Sequence, residues 1–262
     1  MPQSTKTHLV IPDTHAHPDY PNDRFTWLGK FIMDLRPDAI IHLGDFEDMP
    51  SLSSYDKGKK SFEGRRFLLD VASGVDAQEK MFGPLKAHNE ARRRLKEKQY
   101  KPLRVLLGGN HTEGRINKVV QSNPELSGFL DLAHFRYPEF WDTYVPYKVP
   151  YTLDGVSYCH HFPSGPMGQP ISGVNLGRTL LQKNHASSTV GHDHRLSVAT
   201  EVTSTGERMW GVSAGCYFDF TPDYARDTAK EWWRGVLVKR HVHDGDYDLE
   251  TVSLDVLRRA YA

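Results

Sequence analysis

Five short clusters of Asp, Asn and His carry the chemistry open to this chain. Asp13-Thr14-His15 sets a carboxylate and an imidazole two residues apart, so that both side chains can leave a strand end on one side and grip one ion. Gly44-Asp45-Phe46-Glu47-Asp48 offers a tight glycine bend and then a carboxylate, Asp45, placed where it could bridge two cations. Gly109-Asn110-His111 joins an amide oxygen, a hard neutral ligand, to an imidazole free for proton transfer. Tyr158-Cys159-His160-His161 and Gly191-His192-Asp193-His194 add imidazoles, and the alternate histidines of the latter point one way along extended backbone. Taken singly, a cluster of this kind reads better as a surface turn closed by an Asx hydrogen bond or as a core histidine, with the paired histidines of Gly191 to His194 balanced between that and a metal site.

Each cluster needs an element to present it. Thr7 to Ile11 reads as a strand ending at Pro12-Asp13, and Phe25, Leu28, Phe31, Ile32 and Leu35 recur at helical spacing after Asn22 and Asp23, with Pro37 as the stop. Ala39 to Leu43 is the next strand, and a right-handed crossover makes the pair parallel, so the loops after Ile11 and Leu43 open on one edge. Leu103 to Leu107 is a third strand, followed by a short helix over Ile116 to Gln121. Between them, residues 51–101 read as a helical insert, helix-forming from Ala77 to Lys98 with a break or kink at Gly83-Pro84. Beyond Pro150 come short strand-like runs from Val156 to Ser253, interrupted by a helix over Val174 to Asn184. The expected fold is one mixed α/β (α+β) domain over residues 1–262, a two-sheet β-sandwich flanked by helices.

The balance of 33 basic and 33 acidic side chains gives no general attraction to nucleic acid, although it leaves room for a local patch. Arg65-Arg66, Lys86, Arg92-Arg93-Arg94, Lys96, Lys98, Lys101 and Arg104 form such a patch, expected near the active-site edge. Interleaving with Glu90 and Glu97 also fits a plain solvated helix face. Cys159 and Cys216 are too few for a disulfide framework, which points to a reducing compartment and a cytoplasmic location. Met1 to Thr7 lacks a signal-peptide pattern and no apolar run nears the roughly 20 residues of a membrane span, so no membrane partner is expected.

In this order, the five clusters resemble the blocks of the calcineurin-like metallophosphoesterase family: Asp-x-His, Gly-Asp-x-x-Asp, Gly-Asn-His, a lone His and Gly-His-x-His, spanning Asp13 to His194. The resemblance implies a four-layer αββα fold and two divalent transition-metal ions. Asp13, His15, Asp45 and His194 would hold one ion, and Asp45, Asn110, His160 and His192 the other, with His161 as the alternative to His160. It further implies His111 as the acid/base residue, oriented by Asp48 or, as a second candidate, by Glu113. Thr112 stands where some members place an acidic residue directly after this His. Two cations about 3.5–4 Å apart can activate a water, clamp phosphoryl oxygens and neutralise charge at the leaving oxygen. A mixed Asp, His and Asn shell suits manganese first, then iron, zinc or nickel, rather than calcium.

Ser/Thr protein phosphatases of the superfamily carry arginines where this chain has Met49 and Gly108, which lowers that reading. Arg115 is the candidate replacement for substrate binding, against a simple ion pair with Glu113. The expected activity is therefore a phosphodiesterase or phosphatase acting on a small or nucleotide-like phosphoester. A metal-dependent nuclease and a non-catalytic protein-binding scaffold are the alternatives. Trp232-Trp233, Tyr217 and Phe218 could stack on a base or pack between sheets.

Overall fold

The structure is a computed structural model that describes residues 5–54, 57–222 and 225–262. Residues 1–4, on which the expectation of no signal peptide partly rests, lie outside the described residues. The chain runs from β1 (Lys6–Ile11) through α1 (Asp23–Leu35) to β2 (Ala39–His42), then through α2 (Phe67–Arg94) to β3 (Leu103–Leu107). It passes α3 (Arg115–Ser122) and the single-turn α4 (Tyr137–Phe140) to reach β4 (Thr143–Val145). These strands pair in parallel and in sequence order, with Leu9 opposite Ile40, Ile41 opposite Val105 and Leu106 opposite Tyr144. Near-continuous apolar runs such as Leu9-Val10-Ile11 and Ala39-Ile40-Ile41 are what a sheet covered on both faces requires.

The second half builds another sheet from β5 (Tyr151–Leu153) and β6 (Val156–Cys159), followed by the small hairpin β7 (Pro163–Ser164) and β8 (Gln169–Pro170). After α5 (Leu176–Asn184) come β9 (Ser188–Val190), β10 (Leu196–Val202) and β11 (Arg208–Ala214), giving the spatial order β10-β11-β9-β6-β5. Finally β12 (Gly235–His243) and β13 (Asp246–Ser253) return to the first sheet antiparallel to the free edge of β1, and α6 (Leu254–Tyr261) closes the chain.

Alternation along each strand sends side chains to two different cores. Val10, Ile41, Val105 and Leu107 pack with Val156, Tyr158, Val212 and Ala214 between the sheets. Leu9, Ile11, Ile40 and Leu106 pack instead with Phe25, Leu28, Met81 and Leu257 of the outer helices. On the far side Leu176 and Leu180 of α5 cover Cys159 and Val190. The chain is thus a mixed α/β sandwich of two sheets with helices on both outer faces.

Two expectations change. The 51–101 segment is not an appended insert: α2 begins at Phe67 rather than Ala77 and buries Ala77, Met81, Phe82 and Leu85 in the outer-helix core, serving as the crossover between β2 and β3. It also stays helical across Pro84, which cannot donate to the Lys80 carbonyl. Gly29 of α1 packs there, so closely that a methyl group on it would lie 2.5 Å from the Met81 carbonyl oxygen. Asn22 precedes α1 as expected, but its side chain donates to Ser73 and Asp76 of α2 instead of capping its own helix. No helix among the described residues is long and apolar enough to cross a membrane.

Candidate metal centre

Parallel pairing of β1, β2 and β3 puts the residues that follow them on one edge of the first sheet, and the parallel pair β6 and β9 delivers His160 and His192 to the same edge from the second. There the side chains of Asp13, His15 and His194 place ligand atoms within 4.8 Å of one another, as do those of Asp13, Asp45 and His160, and those of His160, His161 and His192. Asn110 joins them through its side-chain oxygen, 2.8 Å from Nε2 of His160. All the residues expected as metal ligands therefore converge.

Asp45 sits at the junction. Its Oδ1 accepts from the His111 backbone N–H at 2.8 Å. Its Oδ2 faces Nε2 of His160 at 3.3 Å, Nε2 of His15 at 3.8 Å and Nε2 of His111 at 4.0 Å. One oxygen thus faces residues of both expected ion sites, the geometry a bridging carboxylate needs. Asp13 divides its oxygens in the same way: Oδ1 accepts from the His192 backbone N–H at 2.9 Å, while Oδ2 faces His194 at 3.0 Å and His15 at 3.9 Å. Glycines make this crowding possible, because a methyl group at Gly109 would fall 2.0 Å from Oδ1 of Asp45 and one at Gly191 would fall 2.3 Å from Oδ1 of Asp13. His15, Asp45, His192 and His194 themselves hold left-handed backbone, with φ of 45°, 49°, 65° and 60°.

The donor set fits divalent transition ions on its own chemistry. His15 is fully buried, yet neither ring nitrogen has a hydrogen-bond partner, and a buried imidazole without one is a costly arrangement unless something else binds it. Burial, with His111 nearby, pushes His15 down to about 4; burial, with His160 nearby, pushes His192 down to about 4. Burial works against the charge on Asp13 and Asp45, but His160 and the other surrounding imidazoles outweigh it and hold both carboxyls well below their usual range. Neutral His15 and His192 beside ionised carboxylates are protonation states that suit a cation. Burial works against a charge on His160, but the carboxylates of Asp45 and Asp13 outweigh it and raise the ring to about 9, a proton that a bound cation would have to displace.

His160 and His161 differ in orientation. Nδ1 of His160 donates to the Leu43 carbonyl at 3.0 Å, which turns Nε2 towards Asp45 and Asn110 in the manner of an oriented metal-binding histidine. His161 lies beyond it, against His192 and Tyr147, with both ring nitrogens unpartnered.

His111 lines a cavity of about 470 Å³ together with Asp45, His192 and His194. Its Nδ1 donates to Oδ1 of Asp48 at 2.6 Å, which leaves Nε2 on the side of Asp45. Burial opposes ionisation of Asp48, but His111, His15 and Arg115 outweigh it and keep the carboxyl well below its usual range. Glu113, the second candidate orienter, turns away and accepts from the Tyr144 hydroxyl at 2.7 Å and the Tyr147 N–H at 2.8 Å. Nor does Arg115 serve as a free substrate clamp. Its Nη1 donates to the carbonyls of Asp48 and Met49, a role that fixes the loop carrying Asp48. The basic run is split: Tyr100 bonds Asn89 and Pro37, and Leu103 bonds Asp38, so the end of α2 bearing Arg92 to Arg94 sits at the opposite edge of the sheet, whereas Arg65 donates to the Pro50 carbonyl, two residues past Asp48. Of the aromatic candidates, Tyr217 and Phe218 are fully buried, Phe218 stacking on His15 at 4.7 Å, and only Trp232 lines the cavity.

Sequence reasoning missed three buried supports. His17 continues the alternation begun by Asp13 and His15, and its Nε2 lies 3.8 Å from Oδ2 of Asp48. His42 bonds the Thr14 hydroxyl at 3.0 Å and accepts from the Gly44 N–H at 3.2 Å. Glu47 accepts from the Tyr137 hydroxyl at 2.7 Å and the Thr112 hydroxyl at 3.0 Å, and burial pushes its carboxyl up from 4.5 to about 7. A raised carboxyl means the fold holds this proton more tightly than the unfolded chain does. Its contribution to stability is then full below about pH 4.5 and is lost as pH rises towards 7. Glu47→Gln is expected to flatten that slope and to melt above the parent at pH 8. Melting series from pH 5 to 8 check this, and a parent-like slope in the variant would refute it.

No family model matches the chain. Two curated relatives carry the name "Gene 54 protein". The one from Mycobacterium phage D29 is 24% identical over 241 residues, covering 88% of this chain and 87% of the relative. The one from Mycobacterium phage L5 is 21% identical over 244 residues, with the same coverage of 88% and 87%. A solved structure overlays with a TM-score of 0.39 at 10% identity, covering 95% of this chain and 100% of that one. Neither relative's name states an activity, so the functional reading stands on the geometry of the site.

Proposed function

We propose that this chain is a dinuclear-metal-dependent hydrolase of phosphoester bonds with the metallophosphoesterase fold that its sequence blocks resemble. The observation that carries the reading is the convergence of Asp13, His15, Asp45, Asn110, His160, His192 and His194 at one sheet edge, with the buried ring nitrogens of His15 left without partners. When bound, two such ions supply Lewis-acid polarisation of phosphoryl oxygens and an activated water. His111 then holds a proton at Nε2, facing the cavity, for the leaving oxygen. Asp48 fixes the ring by accepting from Nδ1. Arg115 positions Asp48 through the backbone carbonyls of residues 48 and 49.

The nuclease alternative loses part of its support, because Arg92 to Arg94 lie at the far edge of the sheet, while Arg65 of the basic run stands beside the loop after Asp48. The scaffold alternative makes no use of a buried imidazole and carboxylate cluster in which the ring nitrogens of His15 lack hydrogen-bond partners, an arrangement that works against stability.

The test combines metal analysis of protein grown in supplemented medium with hydrolysis of bis(p-nitrophenyl) phosphate and p-nitrophenyl phosphate under Mn²⁺. Close to two transition ions per chain and turnover of at least one ester are expected. Near-zero metal, with no turnover of either ester after reconstitution, would sink the proposal and favour the scaffold.

A further inference from the structure

We infer that the cavity beside His111 selects a singly charged phosphodiester carrying a planar apolar arm, with Trp232 as the side chain that receives that arm. This rests on the phosphoester reading above. Away from the imidazole cluster, the cavity is walled by Ile171, Leu176 and Trp232 and rimmed by Asp193, Arg195 and Glu231. Among the described residues that line it, Arg195 is the sole lysine or arginine, and its charge is already engaged. Nε and Nη2 donate to Asp193 at 2.8 and 2.9 Å, and Nη1 lies 3.7 Å from Glu231. Two carboxylates against one guanidinium leave this rim net negative. Arg115, the other cation expected to meet substrate, is turned to the backbone of residues 48 and 49.

A phosphomonoester dianion would carry its second charge past that rim with no unengaged lysine or arginine on it to receive it, whereas a diester carries a single charge for the metal centre to take up. The apolar wall favours a diester whose second ester group is itself apolar, since burying such a group against Ile171, Leu176 and Trp232 is favourable and burying an ionised oxygen there is not. Trp232 stands edge-on to His194 with ring centroids 4.6 Å apart, so an arm resting on it leaves the phosphorus beside the expected ligands. The cavity volume of about 470 Å³ suits a nucleotide-sized ligand.

Calorimetric titration of the Mn²⁺-loaded protein with diphenyl phosphate and phenyl phosphate gives a readout independent of turnover. Diphenyl phosphate is expected to bind at least about 10-fold more tightly, and Trp232→Ala to erase about 3- to 10-fold of that preference, the size of an aromatic contact. In turnover, Trp232→Ala is expected to raise KM for bis(p-nitrophenyl) phosphate by a similar factor with little change in kcat. The loss should shrink on methyl p-nitrophenyl phosphate, which has the same charge and no second ring. Trp232→Phe keeps an apolar ring and is expected to restore most of the binding, which separates this role from a folding defect. Equal binding of the two phenyl esters, a preference for p-nitrophenyl phosphate, or an equal Trp232→Ala effect on both p-nitrophenyl diesters would overturn the inference while leaving the phosphoester reading intact. A parent protein that holds no metal and cleaves neither ester would overturn that reading instead.

Discussion

Asp45→Asn is expected to strip most of the bound transition metal from the protein while leaving the fold in place. Oδ2 faces His160, His15 and His111 together, and Asp45 is buried. Asparagine keeps an oxygen for the His111 backbone N–H but presents a neutral group where two cations would meet. Changes to groups that merely support a metal ligand already weaken affinity by about 10- to 100-fold, so loss of the shared carboxylate should exceed about 100-fold. Metal content after dialysis and the free-Mn²⁺ dependence of turnover measure this, with circular dichroism as the control on folding. A variant that keeps the parent's metal stoichiometry and affinity would show that Asp45 is not a ligand.

His111→Ala is expected to separate metal binding from turnover. The His111 imidazole faces Asp45 at 4.0 Å but is held at its other nitrogen by Asp48, so its removal takes away a proton donor and leaves the carboxylates and the five other expected donors where they are. Metal content should therefore be that of the parent, while turnover falls by about 10²- to 10⁴-fold on an alkyl ester, whose leaving oxygen needs a proton. On p-nitrophenyl esters, whose leaving group departs without one, the loss should be much smaller. Rates on an alkyl ester equal to those of the parent would remove His111 from the chemistry, and a collapse of metal content would make it a ligand instead.

Most of the expected ligands were legible because each follows a short apolar strand. Parallel pairing of such strands brings residues separated by more than a hundred positions to one edge without any long-range information. Two roles were misjudged because neighbouring residues on a turn point in different directions. The π-helical turn over Asn110–Gly114 sends Glu113 to Tyr144 and Tyr147, and Arg115, one residue further, reaches back to the loop after Asp48. Neither direction follows from spacing. The extent of the helix after residue 51 was misjudged because its interior Gly83-Pro84 signals a break, whereas the helix continues across it and packs against α1 at Gly29. The closing helix α6 went unnoticed, although Ser253 as its cap and Leu254, Leu257 and Tyr261 at helical spacing carry a recognisable signature.

Backbone at His15, Asp45, His192 and His194 sits in the left-handed region, where a side chain other than glycine costs about 1 kcal/mol or more per residue. Were stability the sole pressure on this chain, those four positions would drift towards glycine or asparagine, and the buried imidazoles would give way to apolar side chains. Together with the buried imidazoles, this backbone makes the sheet edge a place where the molecule gives up robustness for something else, and a version of this protein optimised for heat resistance alone should lose that edge first.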